Sequence, residues 1–154
     1  MTGRTRLREV KLTLPMAPDM EIVASQAASS LASFIGMTPD RVDEVRLAVV
    51  ECCINAFEHS QSEDRKVDIT FSLLGLAANA EPDTLEIAVH DEGVGFSVNA
   101  VEEPRIEAKL RGSRKRGWGL KIMQGLMDEV KILSSTHGTT VVMSKSREGR
   151  DGER

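Results

Sequence analysis

The sequence predicts an α+β domain of two layers, a mixed, mostly antiparallel sheet covered on one face by helices. Three observations carry that expectation. Runs with period-2 alternation recur along the chain, stretches with helical apolar spacing separate them, and turn-rich segments join the later strands as hairpins. A length of 154 residues suits a single core. With 40% hydrophobic and 29% charged residues, the composition is that of a globular protein rather than a disordered one.

Val10, Leu12 and Leu14 alternate with polar neighbours and predict a first strand ending at Pro15. From Asp19 the pattern turns helical, with Ile22, Val23, Ala27, Leu31 and Phe34 marking the expected inner face and Gly36 the stop. Thr38-Pro39 reads as an N-cap followed by proline at the first helical position. The helix it opens runs to about His59 and buries Val42, Val45, Val49 and Cys52. Residues 66–78 and 84–90 read as strands around the loop Asn79–Asp83. A polar segment from about 97 to 116 has no steady period. Gly117 then opens a helix whose apolar positions are Leu120, Met123, Leu126, Met127 and Val130. Strands at about 130–135 and 139–145 flank Thr136-His137-Gly138, and residues 147–154 form a charged tail expected to fray. One domain over residues 1–146 is therefore expected.

The composition also excludes several classes. A formal net charge of −4 gives no reason to expect direct nucleic-acid binding. The longest apolar stretch, around Leu73–Ala78, falls far short of the roughly 20 residues that cross a bilayer. Glu9 and Lys11 interrupt the basic N-terminus and no continuous apolar core follows, so secretion is disfavoured and a cytoplasmic setting is expected. Cys52 and Cys53 are adjacent, and helix neighbours point about 100° apart. They read as two small buried side chains in a reducing compartment rather than as a redox pair. His59, His90 and His137 are scattered without the spacing of a structural metal site.

Four short patterns remain. Glu51 and Asn55 share one helix face. The carboxylate can orient a hydroxyl or take its proton, and the amide oxygen can ligate magnesium, a hard cation that takes oxygen donors. The plainer reading is a solvated polar face. His59 beyond them either touches phosphate or ends the helix, where a cation is favoured. Asp91-Glu92-Gly93-Val94-Gly95-Phe96 follows a strand. Its glycines let backbone approach a flat ligand, and Asp91 can accept from an exocyclic amine; a turn with an exposed aspartate is the alternative. Neither a Walker loop nor a dinucleotide fingerprint occurs. Arg116-Gly117-Trp118-Gly119-Leu120 starts a helix, where free amides favour an anion. Upstream, Arg105, Lys109, Arg111, Arg114, Lys115 and Arg116 place six cations in twelve residues, a mobile loop over polyphosphate or simply a charged surface. Trp118 covers the pocket, docks a partner or packs inward. Finally, Gly138-Thr139-Thr140 enters the last strand, where a hydroxyl can reach a purine directly or through water, or where threonine merely suits a strand.

In this order, Glu-x-x-x-Asn, Asp-x-Gly-x-Gly, Gly-x-Gly-Leu and Gly-Thr, the patterns resemble the Bergerat-fold ATPase superfamily of gyrase, MutL and histidine-kinase ATPase domains. The stretches Arg46–His59 and Arg116–Val130 are most similar to the small bacterial anti-sigma factor serine kinases, and the resemblance spans about residues 8–146. It implies a Bergerat two-layer sandwich with an ATP lid at about 97–116. It implies ATP and Mg²⁺ as ligands, Glu51 as the catalytic glutamate and Asn55 as the magnesium-holding asparagine. Asp91 matches the adenine-binding aspartate, with Gly93 and Gly95 shaping its pocket. Gly117 and Gly119 match the lid glycines, flanked by Arg116 and Leu120, and Thr139 matches the threonine beside adenine. The implied partners are a STAS-domain anti-anti-sigma-type protein, a sigma factor and a second copy of the chain. A complete sensor histidine kinase is disfavoured, because no histidine stands on a helix upstream of these patterns and only about 40 residues precede the Glu51 helix. The competing reading is a catalytically silent module that sequesters a regulator in a nucleotide-dependent way.

Overall fold

The computed structural model describes residues 3–60, 63–92 and 116–148. Its elements are β1 (Thr5–Pro15), α1 (Met20–Phe34), α2 (Pro39–His59), β2 (Lys66–Gly75), β3 (Thr84–Asp91), α3 (Arg116–Leu126), β4 (Glu129–Ser135) and β5 (Gly138–Ser146). The strands form one five-stranded sheet in the order β1-β2-β3-β5-β4. Every neighbouring pair in it is antiparallel. The expected mixture therefore reduces to a purely antiparallel sheet among the described residues. The connection from β1 to β2 runs through two helices, whose even number returns the chain in the opposite direction.

Strand alternation builds the floor beneath the helices. Val67, Ile69, Phe71 and Leu73 on β2 stand beside Asp91, Val89, Ile87 and Leu85 on β3. These in turn oppose Thr139, Val141, Met143 and Lys145 on β5. The middle of this floor is apolar and fully buried, with Phe71, Ile69, Leu85, Ile87 and Met143 all at 0% exposure. Both its ends are polar. Asp91 and Thr139 close one end and Lys145 the other, each at an inward position that a strand would ordinarily give to an apolar side chain.

Helix α2 lies at the centre of the helical layer, packed between α1 and α3. Thr38 caps it by accepting a hydrogen bond from the Arg41 amide at 3.3 Å, and Pro39 occupies its first turn. Val42, Val45, Val49 and Cys52 are buried, as their spacing predicts. Helix α1 ends as predicted at Gly36, which adopts φ 93°. The Gly36 amide donates to Ser33 O at 3.0 Å and the Met37 amide to Ala32 O at 3.1 Å, a Schellman closure that brings Met37 into the core.

Three sequence expectations are corrected. The fully buried row of α1 is Ala24, Ser25, Ala28 and Ala32; of the expected face Ala27 and Leu31 pack partly buried against the core, whereas Ile22, Val23 and Phe34 are exposed. Small residues one turn apart let α1 approach α2 closely, so the bulkier side chains turn outward. Strand β2 stops at Gly75 rather than continuing to 78, because its partner Thr5 is the first residue of β1. The chain then turns, with the Asp83 amide returning to Leu74 O at 2.8 Å. Helix α3 ends at Leu126, so Met127 and Val130 continue its apolar spacing without belonging to it. The Asp128 amide already donates to Ser144 O at 3.0 Å, and Val130 pairs with Met143 in the sheet.

Cys52 and Cys53 are buried free thiols. Burial, and then the neighbouring Cys53, hold the Cys52 thiol well above its ordinary value of 9.0. Burial, with a smaller contribution from Glu21, pushes Cys53 from 9.0 up to about 12. Thiolates are the reactive form, so both residues are inert in the folded chain. Between pH 9.0 and about 12 the unfolded chain gives up the Cys53 proton while the folded chain keeps it. Stability from this source is complete below that window and lost as pH rises through it. Iodoacetamide at pH 8 is expected to leave the native protein unmodified and to label both thiols after unfolding. Above pH 9 the wild type should lose melting temperature more steeply than Cys53→Ala; parallel pH profiles would contradict this account of the Cys53 thiol.

Candidate nucleotide-binding site

The first half of the site is made where α3 begins against α2. The inward row of α2 places Glu51 and Asn55 one turn apart, with Glu51 only 7% exposed. Gly119, in the first turn of α3, backs directly onto them. A side-chain carbon at Gly119 would lie 3.7 Å from Asn55 Oδ1 and 3.7 Å from Glu51 Oε1. Two oxygens therefore converge on the backbone at a helix N-terminus, where amide hydrogens lack intrahelical acceptors and the helix dipole favours an anion. That donor set suits a magnesium–polyphosphate ligand, since magnesium takes hard oxygen donors and usually one or two groups from the protein. Among the described residues no group of three or more His, Cys, Asp or Glu side chains is placed to cage a metal ion alone.

The second half is made by the sheet. Asp91 ends β3 and Thr139 begins β5, and the two are direct cross-strand partners on the helix-facing side. Both are nearly buried, at 8% and 7% exposure. Gly138 makes this pairing possible. It adopts φ 138°, and a side chain there would collide with the Asp91 carbonyl oxygen and come within 3.1 Å of the His90 ring. On the opposite face, His90 Nδ1 pairs with Thr140 Oγ1 at 2.7 Å and Nε2 lies 3.3 Å from Glu92 Oε2. The same two strands are thus clamped from behind.

The structure accordingly gathers Glu51, Asn55 and Gly119 at one place and Asp91 and Thr139 at another, with α2 packed over β3 between them. Leu120 packs against the core. Arg116 and Gly117 lie in the first turn of α3, whose backbone alone is described at those positions. Gly93, Gly95 and residues 97–115 of the expected lid lie outside the described residues. His59 is the last residue of α2, with Nε2 3.9 Å from Glu58 Oε1. Gly138 escaped the sequence-based site although its signal was visible, a glycine directly before Thr139 at a tight turn. A cleft of about 450 Å³ lined by Arg41, Glu44, Asp128 and Lys145 opens at the other end of α2 and α3, and contains none of the predicted site residues.

Comparison with known proteins defines the class. Residues 15–145 match the family model of the histidine kinase-like ATPase domain, and the chain belongs to that family. Among curated proteins it is 30% identical over 146 residues to the serine-protein kinase RsbW of Bacillus subtilis, covering 91% of this chain and 86% of that one. It is 29% identical over 151 residues to the serine-protein kinase RsbW of Bacillus velezensis, covering 94% and 89%. Among solved structures, the RsbU and RsbW domains of Rv1364c from Mycobacterium tuberculosis share the fold. The TM-score is 0.64 at 18% identity over 90% of this chain, which spans 32% of that longer one. No helix among the described residues is long and apolar enough to cross a membrane.

Replacing Gly138 tests whether the β3–β5 junction shapes a nucleotide pocket. Gly138→Ala combines a backbone cost of about 1–3 kcal/mol with the collision at Asp91. Isothermal titration should show at least about a tenfold loss of ATP affinity, equivalent to about 1.4 kcal/mol. Undiminished affinity would mean that the β3–β5 junction does not shape the pocket.

Proposed function

We propose that the protein is an ATP-dependent serine/threonine kinase and anti-sigma-type regulator that transfers the γ-phosphate of ATP to a STAS-domain antagonist. The observation that carries the reading is the convergence of Glu51 Oε1 and Asn55 Oδ1 on Gly119 at the start of α3. The nearly buried Asp91–Thr139 pair supplies polar groups at the edge of the apolar floor. The serine-protein kinases among its relatives support the same chemistry.

In this reading Asp91 accepts a hydrogen bond from the exocyclic amine of adenine, and Thr139 offers its hydroxyl to the same ring. Gly93 and Gly95 keep that side of the pocket open, while Gly117 and Gly119 let the lid backbone reach the phosphates. Asn55 is the magnesium ligand; bound magnesium supplies charge neutralisation on the triphosphate. Glu51 orients the acceptor hydroxyl and takes its proton as the hydroxyl oxygen bonds to the γ-phosphorus. The bond to the β-phosphate oxygen then breaks and ADP leaves. Arg116 and the other lid cations stabilise charge on the transferring group, the main task in phosphoryl transfer. Phosphate on the antagonist weakens its docking by adding negative charge near a site already carrying Glu51 and nucleotide.

The chain works in the cytoplasm as one ATPase domain over residues 1–146, with the lid at about 97–116. A sigma factor is its second partner. A homodimer is favoured by the bulky apolar side chains that α1 leaves exposed, Ile22, Val23 and Phe34.

Transfer of labelled γ-phosphate from Mg-ATP to STAS-domain proteins tests this reading. Glu51→Gln should cut the transfer rate at least about a hundredfold, the usual scale of a lost general base, while partner binding persists. Asp91→Asn should weaken ATP binding about tenfold or more without a matching loss of melting temperature. An unchanged rate in Glu51→Gln would remove that residue from the chemistry. Tight nucleotide binding with no labelled acceptor would leave the sequestering module as the better description.

A further inference from the structure

The far end of the sheet floor holds a cation that the proposed chemistry does not use. Lys145 continues the inward row Thr139, Val141 and Met143 and is only 4% exposed. Its ammonium donates to the Leu126 carbonyl, the last residue of α3, at 2.5 Å. It also lies 3.0 Å from Glu44 Oε1 on α2 and 4.0 Å from Asp128 Oδ1. Asp128 is itself held by Arg41 at 3.3 Å and by the Ser146 amide at 2.8 Å. A buried ammonium thus joins the C-terminus of α3, where the helix dipole favours a cation, to the first half of α2.

The positions of this junction match those of the nucleotide site. Glu44 and Glu51 are about two turns apart on α2, and so are Leu126 and Gly119 on α3. The antiparallel pair therefore touches at two polar rungs, Glu51 and Asn55 with Gly119 at one end, Glu44 with Lys145 and Leu126 at the other. Met123, Ala48 and Cys52 form the apolar packing of the core around them. Apolar packing is non-directional and leaves the axial position of a short helix poorly fixed. A charged, multiply bonded rung at its end fixes it.

We infer that Lys145 is a positioning residue for the phosphate end of the site, holding α3 so that Gly119 and the amides beside it stay aligned with Glu51 and Asn55. The inference rests on the ATP-dependent reading above. Its consequence is a division of effects, because α3 carries the phosphate side of the pocket while Asp91 and Thr139 carry the adenine side. A merely structural lysine would not separate the two.

The test is titration of the full chain with Mg-ATP and, separately, with adenosine, below the melting temperature of each variant. Lys145→Met should weaken Mg-ATP about tenfold, equivalent to about 1.4 kcal/mol. Adenosine affinity should stay within about twofold, as for sites that do not share partners. Lys145→Arg should bind Mg-ATP more tightly than Lys145→Met. Losses of equal size for both ligands, or no loss for either, would overturn the positioning role. If Lys145→Met does not fold, Glu44→Gln serves instead: its side chain is 42% exposed, and a selective loss of Mg-ATP affinity is again expected. An unchanged Mg-ATP affinity there would overturn the inference. Wild-type protein that bound neither ligand would overturn the nucleotide reading itself.

Discussion

Gly119 lies against Glu51 and Asn55, and this contact joins two segments that are distant in the chain but must act as one surface. Neither helix provides the site alone. The α2 face supplies a carboxylate and an amide oxygen, and the first turn of α3 supplies free backbone amides. A side-chain carbon at Gly119 would stand at an ordinary contact distance of 3.7 Å from both oxygens, so glycine keeps that space open for the proposed phosphate. Everything else in the helical layer serves this geometry. Thr38 and Pro39 mark where α2 starts, and Glu51 and Asn55 face inward about three and four turns later. The Ala24, Ala28 and Ala32 seam of α1 supports α2 from the other side.

The sheet contributes a second constraint through simple alternation. A strand offers every other residue to the core, and the apolar core needs only the middle of each row. At the ends of those rows the alternation continues, and polar residues take inward positions close to water but sheltered from it. Asp91 and Thr139, the proposed purine contacts, stand at one end, and Lys145, the proposed anchor of α3, stands at the other. Because Thr139 and Lys145 belong to the same strand, β5, a single element sets the distance between the proposed adenine contact and the proposed helix anchor.

Much of this was legible in the sequence. The strand alternation of Ile69, Phe71, Leu85 and Ile87, the Thr38-Pro39 start and the Gly36 stop are local signals, and local physics decides them. The pairing of Glu51 with Asn55 is also local, since one helical turn separates them. What was misread depends on tertiary packing. The periodicity of α1 admits two faces; close contact with α2 selects Ala24, Ala28 and Ala32, keeps Ala27 and Leu31 at the margin of the core and leaves Ile22, Val23 and Phe34 outside. Val130 fits the helical spacing of α3 but pairs with Met143, because the backbone leaves the helix at Met127 to join the sheet. Gly138 and Lys145 gave faint signals, a glycine at a turn and a lysine at an inward strand position, whose meaning needs the neighbouring strand.

In the proposed function a nucleotide spans from the Asp91–Thr139 junction to the start of α3. A crystal structure with magnesium and a non-hydrolysable ATP analogue tests that claim most directly. The account predicts adenine against Asp91 and Thr139, with the phosphates over Gly119 and a metal ion ligated by Asn55. Phosphates bound instead in the cleft beside Arg41 and Lys145, at the opposite end of α2 and α3, would contradict it.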